Sequence, residues 1–392
     1  MSQTSLYIHV PFCRHDCPYC PYTKVPYQPE LVEPYVQSAI AEIDWWAAHT
    51  GAPQLTSIYV GGGTPTLALP GVRRILDHAR RRFELGGEVC IEANPSDVSP
   101  EVVRQLRAAG VGQVSLGVQS FGARSLELLG RGYQPDAAKQ ALGLLTASGF
   151  RGVNVDLMFA LPGGRTEDIL SDLEQAAAMG ATQITAYPLF TFPFAEVGRQ
   201  RRLSAVHMPG LGARRRQYRA IHAWCASHGF ARTSVWGFTR HSSPRYSSVT
   251  RDGYIGIGPG AGSHLGAGFS FNTFDLDEWT RASLSGDGAT ALWLPFSPGL
   301  AGWWWLYWRL YDTKVPMAGL ASVFAGADLR RARLLLALLC RLGLASQRNG
   351  ACELTEPGAF WVHLAQNHFA LDYVNRIWTE ARRQPSPSQV AI

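Results

Sequence analysis

Lysine is nearly absent from this chain. Of its 36 basic residues only Lys24, Lys139 and Lys314 are lysines, and the other 33 are arginines, set against 30 acidic residues for a net charge of +6. GC-rich codon usage produces such a skew. The densest groups, Arg80-Arg81-Arg82 and Arg214-Arg215-Arg216, fall in helical patterns without interleaved aromatics. They read as solvated helix faces, and no nucleic-acid partner is expected. Long apolar runs are missing as well: Trp303–Trp308 and Leu334–Leu339 are the longest, against the roughly 18 residues a membrane span needs. No membrane partner is expected either, and the polar start Met1–Leu6 shows no signal peptide, so a cytoplasmic location is expected. Seven cysteines, an odd number, exclude a disulfide framework: Cys13, Cys17 and Cys20 crowd together while Cys90, Cys225, Cys340 and Cys352 stand singly. With 46% hydrophobic and 17% charged residues over 392 positions, the chain can bury one large core and carry an appendage.

From Leu6 to about Tyr187, short β-branched runs alternate with longer amphipathic ones. Strands are predicted at Leu6–Val10, Thr56–Val60, Glu88–Glu92, Gln113–Gly117, Gly152–Asp156 and Gln183–Tyr187. Helices are predicted between them at Leu31–Ala48, Gly71–Arg82, Pro100–Ala109, Pro135–Ser148 and Thr166–Met179, several closed by a glycine such as Gly110, Gly149 or Gly180. This rhythm predicts an α/β fold, a partial (β/α)6 TIM-like barrel over residues 1–195. The rhythm then breaks. Residues 196–297 read as an α/β extension, with a helix at Leu211–His228, a strand at Ala231–Trp236 and the glycine-rich Gly253–Gly268 closing the active site. Residues 298–383 read as a mostly helical, winged-helix-like domain, and 384–392 as a disordered tail.

Chemistry concentrates after the first strand, in Tyr7-Ile-His-Val-Pro-Phe-Cys13-Arg-His-Asp-Cys17-Pro-Tyr-Cys20. Three thiolates at these spacings can surround one inorganic centre from a single loop. A zinc site with His9 or His15 as fourth ligand is the alternative, although zinc would want a second ligand pair. Three ligands are also what a four-iron cluster needs when its fourth iron stays open. Gly61-Gly62-Gly63-Thr64-Pro65 follows the second strand, where glycines let the backbone approach a bound carboxylate or amine. Glu92, Gln119, Arg131 and Asp156 each fall at or just beyond a strand's C-terminal end, the catalytic end of such barrels.

The C-x3-C-x2-C spacing after the first strand of a βα array resembles the radical S-adenosylmethionine (SAM) superfamily. That resemblance implies a [4Fe-4S] cluster on Cys13, Cys17 and Cys20, a SAM cleaved there to a 5′-deoxyadenosyl radical, and an electron donor such as flavodoxin or ferredoxin. The further segments Glu92-Ala-Asn-Pro95, Ser115-Leu-Gly-Val-Gln119-Ser-Phe, Gly130-Arg131, Asp156-Leu-Met-Phe-Ala-Leu-Pro162 and Gly256-Ile-Gly-Pro-Gly-Ala261 resemble the coproporphyrinogen dehydrogenase-like branch. By that resemblance Tyr7, Gly62, Glu92, Gln119, Arg131 and Asp156 hold the cluster-bound SAM. Tyr19, Tyr22, Gly63, Thr64, Met158, Leu189 and Gly262 would wall a second SAM.

Within the branch, the departures guide the expectation. Coproporphyrinogen dehydrogenases carry a fourth cysteine where this chain has Tyr22, and a longer N-terminal extension. Haem chaperones carry a His-Asn-x-x-Tyr-Trp segment where this chain reads Tyr246-Ser-Ser-Val-Thr-Arg-Asp252-Gly-Tyr254, although His241 and His264 lie nearby. The C-terminal segment Leu354–Tyr373 also resembles the class C radical SAM methyltransferases. The expectation is therefore a two-SAM C-methyltransferase acting on a small-molecule or modified-peptide heteroaromatic substrate such as a thiopeptide precursor, with a haem chaperone or a SAM-methylene cyclopropanase as alternatives. No catalytic base is identified; Asp252, Tyr254 and His264 are candidates by proximity, and Trp303-Trp304-Trp305 with Tyr307 and Trp308 read as core that could stack on a substrate.

Overall fold

Six parallel strands lie side by side in chain order, each followed by a helical crossover, in a computed structural model that describes residues 4–192, 195–197, 207–245, 253–266, 268–383 and 388–389. They are β1 (Thr4–Val10), β2 (Leu55–Gly62), β3 (Leu85–Ala93), β4 (Gln113–Gln119), β5 (Gly152–Phe159) and β6 (Gln183–Pro188). The intervening helices are α1 (Pro29–Thr50), α2 (Leu69–Arg82), α3 (Pro100–Ala108), the short α4 (Ala123–Leu128), α5 (Pro135–Thr146) and α6 (Thr166–Ala178). Helices cover the outside, so the strands are buried on both faces and read as near-continuous apolar runs; Leu6, Ile8 and Val10 of β1 have no exposed surface. Local signals start and stop the helices as expected. Ser99 accepts a hydrogen bond from the Val102 amide at the start of α3, and Gly110 (φ 70°) and Gly180 (φ 91°) follow helices in the left-handed region.

The chain extends this sheet beyond both edges. After α7 (Leu211–Ser227), strands β7 (Phe230–Arg232) and β8 (Gly237–Arg240) form a hairpin whose β8 runs antiparallel to β6. The expected single strand over Ala231–Trp236 is thus a strand, a bend and the approach to a second one; the Gly237 amide donates to Ser234 Oγ and closes the bend. At the other edge β9 (Gly253–Ile257) pairs parallel with β1, followed antiparallel by β10 (Gly262–His264), β11 (Gly268–Asn272) and, after α8 (Leu276–Ser285), β12 (Thr290–Pro295). The order is β12-β11-β10-β9-β1-β2-β3-β4-β5-β6-β8-β7, with Ser388–Gln389 pairing outside β12. An α/β barrel-like sheet is what the βα rhythm predicted.

The C-terminal portion packs on the β7–β8 edge. It comprises α9 (Pro298–Tyr311), β13 (Lys314–Pro316), α10 (Met317–Val323), α11 (Gly326–Arg341), β14 (Ala345–Arg348), β15 (Ala351–Leu354) and α12 (Glu356–Arg383). Strands β13, β15 and β14 form a three-stranded antiparallel wing. The Trp-rich run is largely structural: Trp303 packs edge-on against Phe324, and Trp304 packs against Phe269, Phe296 and His264. The arginines at 214 and 215 are not the solvated face expected of them. Arg214 donates to the Leu189 carbonyl, and Arg215 grips Glu356 with two bonds at 2.5 and 2.7 Å, both side chains mostly buried.

Candidate functional site

At the C-terminal ends of the strands the side chains converge on one cavity of about 360 Å³. Its rim carries Cys13, Cys17 and Cys20, in the loop that leaves β1. That loop is pinned from below. The Tyr7 hydroxyl lies 2.8 Å from His9 Nδ1, and His9 Nε2 lies 2.8 Å from the Thr23 carbonyl. Because a carbonyl can only accept, Nε2 carries the proton and Nδ1 accepts from Tyr7. Burial pushes His9 down to about 4, and the bond to Thr23 offsets this only in part, so the ring stays neutral and this relay persists at physiological pH. Lys24 adds a bond to the Cys20 carbonyl at 3.2 Å and an ion pair to Asp16.

The site's residues fit the iron–sulfur group that the sequence implied. Three thiols face the cavity without disulfides. The three come from one short loop and line the same cavity, and three thiolates are the ligand number of a four-iron cluster with one open iron. The glycine run makes room beside them. A Cβ on Gly63 would lie 2.5 Å from the Phe12 carbonyl and 3.0 Å from Cys13 Sγ, and Gly62 (φ 115°) would thrust one to 2.8 Å from the His9 ring. Arg131 closes the opposite side, 3.6 Å from Cys17 Sγ, anchored by a 2.8 Å bond to the Gly117 carbonyl and stacked over Tyr133.

Beneath the rim sits a pair of half-buried carboxyls. Glu92 accepts from the Tyr59 hydroxyl and, at 3.2 Å, from the Gly62 amide. Asp156 accepts from Ser115 at 2.9 Å and from Asn154 at 2.9 Å. Burial lifts Glu92 to about 7 and Asp156 to about 6, and the charge of Asp156 raises Glu92 further. Two acids poised near neutrality in a cleft mark a binding site for a ligand rich in hydroxyls or positive charge. Gln119 completes the floor. It adopts φ 66°, an uncommon choice for a side-chain-bearing residue, and its amide oxygen accepts from Tyr187 at 2.7 Å.

Of the residues named from the sequence, Tyr19, Tyr22, Gly62, Gly63, Thr64, Glu92, Gln119, Arg131, Asp156 and Met158 line this cavity with the three cysteines. Tyr7 lies behind the wall, packed against Tyr59. Leu189 is buried in a small cluster with Met158 and Leu161, and Gly262 packs beneath Phe269 and Phe271 on β11, so neither reaches the cavity wall. Of the candidate bases, His264 bonds the Gly268 carbonyl through Nδ1 within an aromatic nest that includes Tyr254, and Asp252 lies outside the described residues.

The cavity's far wall was not anticipated. It is built by Tyr187, Phe190, Phe192, Trp236, Tyr311 and His363. Trp236 sits in the bend that was mistaken for strand, and Tyr311 ends α9, one turn past the Trp-rich run. His363 lies in α12, within the Leu354–Tyr373 segment that had been matched to methyltransferases. A helical stripe on a C-terminal domain gives no hint that one of its residues reaches across to a barrel.

Residues 7–176 match the Radical SAM superfamily model. The haem chaperone HemW of Mycobacterium tuberculosis (strain ATCC 25618 / H37Rv) is 35% identical over 271 residues, covering 67% of this chain and 69% of that protein. The chain belongs to the radical SAM superfamily. It is also similar to HemW of Bacillus subtilis, 29% identical over 269 residues covering 67% of this chain and 71% of that protein. The fold matches the crystal structure of the radical SAM enzyme coproporphyrinogen III oxidase (HemN) from Escherichia coli, with a TM-score of 0.78 over 92% of this chain and 88% of that one at 20% identity.

These findings correct the functional expectation. Several relatives that the chain matches over two thirds of its length are named haem chaperones and one is named an oxygen-independent coproporphyrinogen III oxidase, so neither the methyltransferase activity nor the heteroaromatic peptide substrate stands. The departure at Tyr246–Asp252 lies outside the described residues, and the Leu354–Tyr373 segment that resembles the methyltransferases folds as the end of a wing and a helix. Membership of the superfamily implies a [4Fe-4S] cluster and SAM. Among the described residues no helix is long and apolar enough to cross a membrane.

Proposed function

We propose that this chain is a haem chaperone-like protein that holds a [4Fe-4S] cluster on Cys13, Cys17 and Cys20, binds SAM beside it and takes up haem in the same cavity. One observation carries the reading: a single cavity joins the three thiols and the acid pair to a broad aromatic wall contributed partly by the C-terminal domain. A planar, largely apolar macrocycle gains most from such a wall, through burial and stacking of its faces. The names of the relatives support the same cargo.

Each of the chain's own residues has a task in this reading. The cluster and SAM, when bound, supply one-electron chemistry. Gly62 and Gly63 let the backbone approach the methionine end of SAM, Glu92 and Asp156 accept from its hydroxyl and cationic groups, and Gln119 and Arg131 orient it. Tyr7 and His9 keep the cysteine loop in place. The second SAM expected from the sequence belongs to the volume bounded by Tyr19, Tyr22, Thr64 and Met158, and we assign that volume to SAM or to haem in competition. Equilibrium dialysis of labelled SAM against the reconstituted full chain tests this. Two SAM per chain without haem, falling to one when haem is added, is the expected result. Undiminished SAM binding at saturating haem would reject a shared cavity. Transfer of the bound haem to an apo haem protein, read by the acceptor's own spectrum, tests the chaperone role.

A further inference from the structure

His363 stands out among the cavity's residues because its ring is left with so little polar company. It is 8% exposed, and neither ring nitrogen has a well-aligned hydrogen bond; the Gln366 side chain is close enough only for a weak, poorly aligned one. Buried polar atoms are nearly always paired, and leaving one unpaired is costly. Burial holds the ring neutral, pushed down to about 4, with the nearby Gln366 amide offsetting little of this. Trp236 and Tyr311 box it edge-on, with ring centroids 5.0 and 5.6 Å away. Gln366, one turn later on α12, donates through Nε2 to the Tyr307 carbonyl at 2.7 Å, which leaves its Oε1 buried without a partner. Two orphaned polar groups thus sit side by side at the edge of a cavity. His9, the other deeply buried imidazole of this region, is fully engaged by Tyr7 and Thr23.

A neutral imidazole with a free lone pair is the commonest protein ligand for a transition metal, and such a histidine usually donates its second N–H to a neighbouring oxygen. We propose that His363 would ligate the iron of a haem held against the Trp236–Tyr311 wall, with Gln366 Oε1 accepting the ring's other N–H. The assignment rests on the haem-binding reading above, and it identifies a ligand outside the Tyr246–Tyr254 sequence segment.

The test is a haemin titration of the full chain with its cluster reconstituted, followed by the Soret band and by electron paramagnetic resonance. Wild-type protein is expected to give a histidine-ligated signature. His363→Ala should weaken haemin binding at least roughly tenfold and alter the signature, with free imidazole restoring it. His363→Met keeps the side chain's bulk and should convert the signature to thioether ligation, which decides the matter if the alanine variant fails to fold. Gln366→Leu should keep the ligand while moving the haem reduction potential, and His264→Ala should change nothing. Wild-type spectrum and affinity in both His363 variants would overturn the assignment while leaving the haem reading intact. Equal binding of iron-free protoporphyrin would also overturn it, because stacking alone would then explain uptake. Failure of the wild type to take haemin would overturn both.

Discussion

At the scale of single residues the account depends on groups whose chemistry their surroundings have changed. Cys17→Ala should abolish the cluster's brown absorbance and the bound iron, since two thiols from this loop cannot replace three; retained iron at wild-type stoichiometry would reject the ligand set. Gly62→Ala forces a side chain into φ 115° and against the His9 ring. It should cost about 1–3 kcal/mol of stability by urea denaturation, with SAM affinity falling as well. The acid pair predicts a pH dependence with a definite sign. In the free protein Glu92 is raised to about 7 and Asp156 to about 6, and both hold the hydroxyl and cationic groups of SAM most strongly when ionised. Binding therefore releases protons, and SAM affinity should rise from pH 5.5 to about pH 7 and then level. Calorimetry in buffers of different ionisation enthalpy would detect that proton release. In Glu92→Gln the part of the rise nearest pH 7 should disappear.

At the scale of elements, most of the architecture was legible because local chemistry and packing agree. The six predicted barrel strands recur with their ends moved by a few residues, since buried β-branched runs between glycine-capped helices leave few other arrangements. The misreading at Ala231–Trp236 has a simple cause: an apolar run does not reveal a bend that Ser234 makes by bonding the Gly237 amide. The cysteine loop and glycine run were legible for a similar reason, because spacing encodes them. Trp236, Tyr311 and His363 were not, because each reaches the cavity only through tertiary packing.

The glycine-rich loop after β9 offers a test at this scale. Glu42 on α1 accepts from the Gly258 amide at 2.9 Å, from Trp279 Nε1 at 2.9 Å and from Asn272 at 2.6 Å. Burial nevertheless lifts it to about 7, against an ordinary carboxylate value of 4.5. A raised folded-state value means the stabilising contribution is complete below about pH 4.5 and is lost as pH rises through about 7. That loss amounts to on the order of 3 kcal/mol. Glu42→Gln should flatten the stability profile over that window, and Glu42→Ala should destabilise at every pH by orphaning the Gly258 and Trp279 donors. Denaturation midpoints at pH 5 and pH 8 that are unaltered by Glu42→Gln would contradict this.

At the scale of the whole molecule, function depends on docking the C-terminal portion onto the barrel. Arg215 and Glu356 join α7 to the start of α12, and Arg232 donates to the Leu354 and Thr355 carbonyls, which sets the helix that carries His363. Arg215→Ala removes a paired, mostly buried guanidinium and should loosen this docking by about 1–3 kcal/mol. Cluster content and SAM binding should stay near wild type, because their residues belong to the barrel, while haem affinity falls. Parallel losses of iron and haem would mean that the two halves do not divide the work in this way.

The central claim is that one cavity serves an iron–sulfur cluster, SAM and haem. Its most direct measurement is an anaerobic titration of the reconstituted full-length chain with haem in the presence of SAM, counting iron, SAM and haem in the same gel-filtered sample. The account predicts four cluster irons, one SAM and one haem per chain, with the haem spectrum distinct from that of free haem. No haem retained at any SAM concentration, or a haem spectrum identical to that of free haem, would contradict it.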